Sequence, residues 1–336
     1  MKKLLAIGEA LIDFIPQQTG VDLKDVANFL PTIGGAPTNV CGAFTKLGGK
    51  ASIITQVGLD AFGDKIIETL NKHNIDTSLV VRTTEANTCL AFVSLKENGE
   101  RDFSFYRKPS ADMLYSPQNL QPDFFNETFC LHFCSVSLGK FPMKDAHIRA
   151  IDLARSSGAF ISFDPNLRFP LWEDKMLLKK TICEFIPKSH ILKISDEELE
   201  FITGETVISR ALPKLFTGSV QMVVYTKGAD GAEAYTPKVY AKSQGITVHA
   251  KDTTGAGDGF IGSFLFQLSK LNLQNLGLLD ESVLHNMLDF SNRYCSLSIQ
   301  KNGAISSYPT MDEVSLNQKY ATIKTQSSSN LNLFSR

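Results

Sequence analysis

The chain of 336 residues is punctuated by short apolar runs rich in Val, Ile and Phe, at positions 4–8, 51–57, 129–134, 160–164, 191–194 and 222–226. Runs of this length without polar alternation are strands covered on both faces, the condition of a parallel sheet between two helical layers. The helices come from the segments between them. Positions 38–47, 62–74, 144–158, 197–203 and 258–271 carry helical periodicity or end in Gly or Asn stops. The expected fold class is α/β: a three-layer α/β/α core around a mostly parallel sheet.

Two segments, 11–32 and 88–110, break that rhythm. In the second, two β-rich runs flank Asn98-Gly99, a strong hairpin signal. Together they are expected to form a small sheet outside the core, either a lid over a ligand or an ordinary surface hairpin. With no repeat and no linker, one domain over 1–310 is expected. A C-terminal helix and a frayed tail would fill 311–336, where Thr-Gln-Ser-Ser-Ser-Asn has the composition of a loose terminus.

Charge is nearly balanced, 34 basic against 35 acidic residues, so no nucleic acid or anionic membrane is expected as a partner. The six cysteines show no zinc or redox spacing and read as buried reduced thiols, and His132 in its apolar run reads as a hydrogen-bonded core residue. Glu9 and Asp13 interrupt the apolar start before a signal sequence forms, and no run reaches the roughly 18 apolar residues of a membrane helix. A cytoplasmic protein is the expectation.

Chemistry concentrates in Asp252-Thr253-Thr254-Gly255-Ala256-Gly257-Asp258, directly before a long apolar helix. Three small residues at a helix start let amide N–H groups approach phosphate oxygens, and Asp258 would stand where an attacking hydroxyl loses its proton. An ordinary loop-to-helix turn, with Asp258 as a first-turn acid, uses the same residues. A second Gly-rich turn, Gly34-Gly35-Ala36-Pro37-Thr38-Asn39, enters another helix, where Asn39 can offer a donor and an acceptor to hydroxyl groups.

These two turns, together with Leu47-Gly48 and Val57-Gly58-Leu59-Asp60-Ala61-Phe62-Gly63, resemble the linked signatures of the ribokinase-like superfamily, the PfkB-type sugar kinases. The likeness runs from Ile7 to about Pro309. Within it, the segment from Arg101 to Leu114 is similar to the lid of fructokinases, and Asp164-Pro165-Asn166-Leu167-Arg168 with Leu171-Trp172 to their mid-chain motif. A ribokinase-like fold is implied, with transfer from ATP to fructose to give fructose 6-phosphate.

The resemblance also implies roles. Asp258 matches the catalytic base, with Gly255, Ala256 and Gly257 as the anion hole and Arg168 near the transferring phosphate. Asp13, Gly34, Gly35, Asn39, Phe103 and Arg107 match the sugar side. Nucleotide contacts are implied for Lys193, Ser195, Thr226, Gly228, Gly231, Gly255, Gly257, Asn292, Asn302 and Gly303. Ser195 replaces the asparagine of the superfamily's Asn-x-x-Glu motif. Glu198 and Asp196 are then candidates for Mg2+ through water, while Ser195 and Glu198 also suit a helix capping box. Asp252 is a candidate support for a K+ site formed with the loop 301–307.

Rival readings are a 2-keto-3-deoxygluconate kinase or another PfkB-type sugar kinase, and, in a different class, a non-catalytic sugar-binding regulator. The lid edge from 88 to 106 suits a homodimer clasp as well as a capped monomer.

Overall fold

A computed structural model describes residues 2–95, 101–271, 273 and 275–317. The Asn98-Gly99 turn, the Phe103 side chain and the tail beyond 317 lie outside the described residues.

Each apolar run forms a strand. The central sheet runs β14 (Tyr240–Ser243), β13 (Ala232–Tyr235), β12 (Met222–Thr226), β11 (Ile191–Ser195), β10 (Phe160–Asp164), β9 (Thr128–Cys134), β1 (Lys3–Ile7), β4 (Ala51–Gly58) and β5 (Ile75–Asp76), with β6 (Val80–Thr83) also paired to β4. From β5 to β12 all pairings are parallel, while β13 and β14 add an antiparallel edge.

Burial on both faces explains the unalternating apolar strands. On β1, Leu4 and Ala6 pack under one helical layer and Leu5 and Ile7 under the other. The first layer holds α1 (Ala36–Lys46), α2 (Ala61–Lys72), α7 (Ala256–Lys270) and α8 (Glu281–Ser298). Its opposite holds α3 (Pro142–Ser156), α4 (Lys175–Phe185), α5 (Asp196–Thr203) and α6 (Ile208–Leu215). The expected three-layer core is therefore present, and residues 311–317 add a terminal helix.

The expected small sheet also forms, in the order β3 (Phe29–Gly34), β2 (Leu11–Pro16), β7 (Cys89–Leu95) and β8 (Arg101–Tyr106). Its strands β7 and β8 pair antiparallel on either side of the Asn-Gly position. Phe14 and Phe92 stack at 4.5 Å, flanked by Phe29 and Tyr106.

Three details correct the sequence reading. Helix α7 begins at Ala256, two residues early, because Ala256 and Gly257 bring no large apolar side chains that periodicity could register. Cys183 is exposed and Cys295 half-buried, whereas Cys41, Cys89, Cys130 and Cys134 are buried thiols as expected. Among the described residues, α4, α6 and α8 stand beyond the expected helices. The buried face of α8 includes Ser291 and Asn292, which blur its apolar stripe, and α6 contains Pro213. No helix of the described residues is long and apolar enough to cross a membrane.

Candidate active site

Parallel strands collect loops at their C-terminal ends, the usual place for a ligand in such sheets. Here β1 delivers Glu9, β10 delivers Asp164 to Arg168, β11 ends at Ser195 and β12 at Thr226. Helix α7 points its N-terminus at the same rim. Gly255 caps it in the left-handed region at φ 72°, where a Cβ would lie 2.7 Å from both Ala304 Cβ and the Tyr308 hydroxyl. The Tyr308 hydroxyl donates to the Gly255 carbonyl at 2.7 Å, fixing that turn.

The sugar-side turn meets this helix through close packing. A Cβ on Gly262 would stand 2.7 Å from Ala43 Cβ and 2.9 Å from the Val40 carbonyl, so only glycine lets α7 approach α1 this closely. The approach brings Asn39 to Asp258, with Nδ2 donating to Oδ2 at 2.9 Å across 219 residues of sequence. Asn166 Nδ2 donates to the other oxygen at 3.2 Å. Asp258 is buried, and burial raises its pKa against the opposing effects of Asn39, Arg168, Lys193 and Asn166.

Beside Asp258 opens a cavity of about 810 Å³ lined by Arg168, Lys193, Ser195, Asp196, Glu198, Thr226, Gly228, Gly231, Gly255 to Asp258 and Asn292, among others. Almost every residue expected at a nucleotide thus shares one wall. Asn302 and Gly303 are the exceptions, absent from that lining. The Gly303 N–H is taken by Asp252 Oδ2 at 2.8 Å, and Oδ1 accepts from the Thr254 amide and hydroxyl. Asp252 thereby ties its own loop to 301–307.

Lys193 is a buried cation with its Nζ 3.1 Å from Asp164 Oδ2. Burial opposes its charge, but the carboxylates of Asp164, Glu198 and Asp258 outweigh that and raise its pKa. A Cβ on Gly257 would lie 3.3 Å from Lys193 Nζ, so the ammonium borders the anion hole. Arg168, in contrast, is exposed, donates to the Leu167 carbonyl and lines the cavity.

Ser195 and Glu198 form the expected capping box, and Glu198 does a second task. Its Oε2 accepts from the Ser195 amide at 2.8 Å and its Oε1 from the Leu167 amide at 3.0 Å, anchoring the loop that carries Asn166 and Arg168. Asp196 is exposed at the same rim. No group of three or more His, Cys, Asp or Glu suited to a metal occurs among the described residues.

On the lid side, Asp13 lies against the Gly-rich turn, where a Cβ on Gly34 would meet Asp13 Oδ2 at 2.0 Å. Gly35 adopts φ 105°, and a Cβ there would be 2.5 Å from the Glu9 carbonyl. Arg107 enters the site as a paired cation. It donates through Nε to Asp112 Oδ2 at 3.0 Å, and through its terminal nitrogens to the Val136 carbonyl and Ser137 Oγ. Sequence reasoning missed its partner Asp112 and also Glu9, whose buried carboxylate accepts from the Ala36 amide and Ser137 Oγ. A carboxylate ending the first buried strand is the signal that points to Glu9.

The family described as pfkB family carbohydrate kinase matches residues 1–311. The chain belongs to that family. It is 38% identical over 308 residues to probable fructokinase-2 of Arabidopsis thaliana, covering 91% of this chain and 93% of that protein. A fructokinase from Xylella fastidiosa solved with bound ATP superposes with a TM-score of 0.87 at 30% identity, covering 95% of this chain and 99% of the other. A fructokinase from Vibrio cholerae O395, solved with fructose, ADP and calcium, gives 0.83 at 30% identity, covering 94% and 98%. This PfkB-family carbohydrate kinase therefore has the expected ribokinase-like architecture.

Proposed function

We propose that this carbohydrate kinase is an ATP-dependent fructokinase that forms fructose 6-phosphate and ADP. The observation that carries the reading is Asp258, a buried carboxylate standing between Asn39 of the Gly-rich turn and the 810 Å³ cavity. A hydroxyl held beside Asp258 and a phosphate at the α7 N-terminus are neighbours in line for transfer. Asp258 takes the hydroxyl proton as the bond to phosphorus forms. The amides of Gly255, Ala256 and Gly257, with Lys193 and Arg168, stabilise charge on the transferring group.

Asp13, Gly34, Gly35 and Asn39 form the sugar side, and Arg107 with Asp112 closes it beneath the lid. The buried Asn39 Oδ1 has no partner among the described residues, so it is available to accept a sugar hydroxyl. Similarity to proteins named fructokinase supports fructose rather than 2-keto-3-deoxygluconate as the substrate of this chain.

Exposed Asp196 and buried Glu198, whose two oxygens each already accept one backbone amide, both line the cavity and would hold a magnesium ion through water rather than in a closed protein cage. Magnesium there would neutralise phosphate charge. A monovalent cation would be held by carbonyls of the two loops that Asp252 joins. Edge strand β8 and the exposed Tyr106 offer a pairing surface for a homodimer, which sedimentation would detect. The functional test is ADP release with MgATP against fructose, glucose, ribose, 2-keto-3-deoxygluconate and adenosine, with and without potassium. Fructose should lead in kcat/KM by at least about tenfold; another leading sugar overturns the assignment.

A further inference from the structure

Asp258 is held at both oxygens, by Asn39 at Oδ2 and Asn166 at Oδ1. Asn39 belongs to the sugar side, but Asn166 has no part in the reading above. Its backbone lies at φ 46°, in the left-handed region that non-glycine residues seldom adopt, and the residue is buried. Such a conformation persists where the surroundings over-determine it.

Two buried carboxylates do so here. The backbone N–H of Asn166 donates to Asp164 Oδ1 at 3.2 Å, and the next backbone N–H, from Leu167, donates to Glu198 Oε1 at 3.0 Å. Asp164 is in turn fixed by Lys193, the two side chains being almost wholly enclosed. Strand β10, strand β11 and helix α5 therefore converge on one residue, and the product of that convergence is an amide aimed at the base. The χ2 torsion of an aspartate is soft, so a carboxylate held at one oxygen swings through a broad well, while one held at both has a single orientation.

We propose that Asn166 is a positioning residue for phosphoryl transfer: its side-chain amide pins Oδ1 of Asp258, so the carboxylate meets the attacking hydroxyl in one fixed orientation. The inference concerns the same base as the fructokinase reading but not the identity of the sugar. The titratable groups that interact electrostatically with Asp258 are the cations Lys193 and Arg168, the carboxylate of Asp164, the thiols of Cys134 and Cys295 and the phenol of Tyr308, while Glu198 acts on Asp164 and Lys193.

Asn166→Gly is the informative variant because glycine keeps the left-handed backbone while deleting the amide. In the full-length protein, with whichever sugar the wild type phosphorylates, kcat should fall roughly 10- to 100-fold while both KM values stay within about twofold. The acid limb of kcat/KM should move to higher pH, since a donor that favours the ionised base is gone. Asn166→Asp should move it further, by adding a like charge. A kcat within about threefold of wild type, or a loss of kcat with an unmoved acid limb, overturns the proposal. A second readout needs no turnover: the Asp258 carboxyl, followed by 13C NMR in ligand-free protein, should titrate at higher pH in Asn166→Gly. An unchanged titration there also overturns it.

Discussion

The substitution Asp258→Asn should separate activity from stability. Both partners of Asp258, Asn39 Nδ2 and Asn166 Nδ2, are donors, so a rigid amide in place of the carboxylate would keep one bond and set its own NH2 against the other. The buried Asn39 Oδ1 has no partner among the described residues, however, so a flip of the Asn39 amide turns an acceptor toward the new NH2 without breaking another described side-chain bond. Two hydrogen bonds survive as neutral ones, weaker by about 1 kcal/mol each than bonds to a charge. Against that loss stands the removal of a buried charge. Burial raises the Asp258 pKa in the fold, so ionisation costs stability as pH rises through that value, and an amide carries no such cost. Unfolding free energy near pH 8, read by urea denaturation, should match or exceed the wild type.

Turnover should behave differently, because the amide cannot take the hydroxyl proton. Loss of a general base removes about 10²- to 10⁴-fold in kcat, roughly 3–5 kcal/mol of barrier. ADP release under saturating substrates measures it. Turnover within about tenfold of wild type, or a stability loss above about 2 kcal/mol accompanying the inactivation, refutes the reasoning.

Gly34→Ala places a Cβ 2.0 Å from Asp13 Oδ2, so Asp13 must move, and the KM for the sugar should rise at least about tenfold with kcat less affected; an unchanged KM removes Asp13 from the sugar side. Lys193→Ala strands Asp164 in the interior and should cost about 3 kcal/mol in urea denaturation; undiminished stability would show that Asp164 is neutral in the fold. His132 and His147 are buried neutral, with burial pushing their pKa values down to about 3 and about 4. The unfolded chain protonates both near 6.5, so the contribution of the two histidines to stability should be level above that pH and fall as pH drops toward 4, each adding a slope of about 1.4 kcal/mol per pH unit. His132→Gln should flatten the slope, and an identical slope would mean that His132 titrates normally.

The parallel core was legible because strands buried on both faces, such as β9 and β10, are written as unbroken apolar runs. The two Gly-rich turns were legible because close backbone approach excludes other residues, as Gly35 and Gly255 confirm. Buried charges were not. Glu9 meets Ser137 across 128 residues, and Asp164 meets Lys193 across 29, so neither pairing leaves a local pattern. Arg107 was visible as a lid cation, but its neutralisation by Asp112 follows from the fold rather than from spacing. Its motif makes Glu198 a metal candidate, while its grip on the Leu167 amide depends on where β10 ends beside α5.

The central claim is transfer of the ATP γ-phosphoryl group to the primary hydroxyl of fructose. Its most direct test is the 13C spectrum of [6-13C]fructose incubated with the enzyme and MgATP. The account predicts that the C6 line acquires phosphorus coupling as ADP accumulates, and that [1-13C]fructose treated alike shows none. Phosphorus coupling at C1, or ADP formed without any phosphorylated fructose, would contradict it.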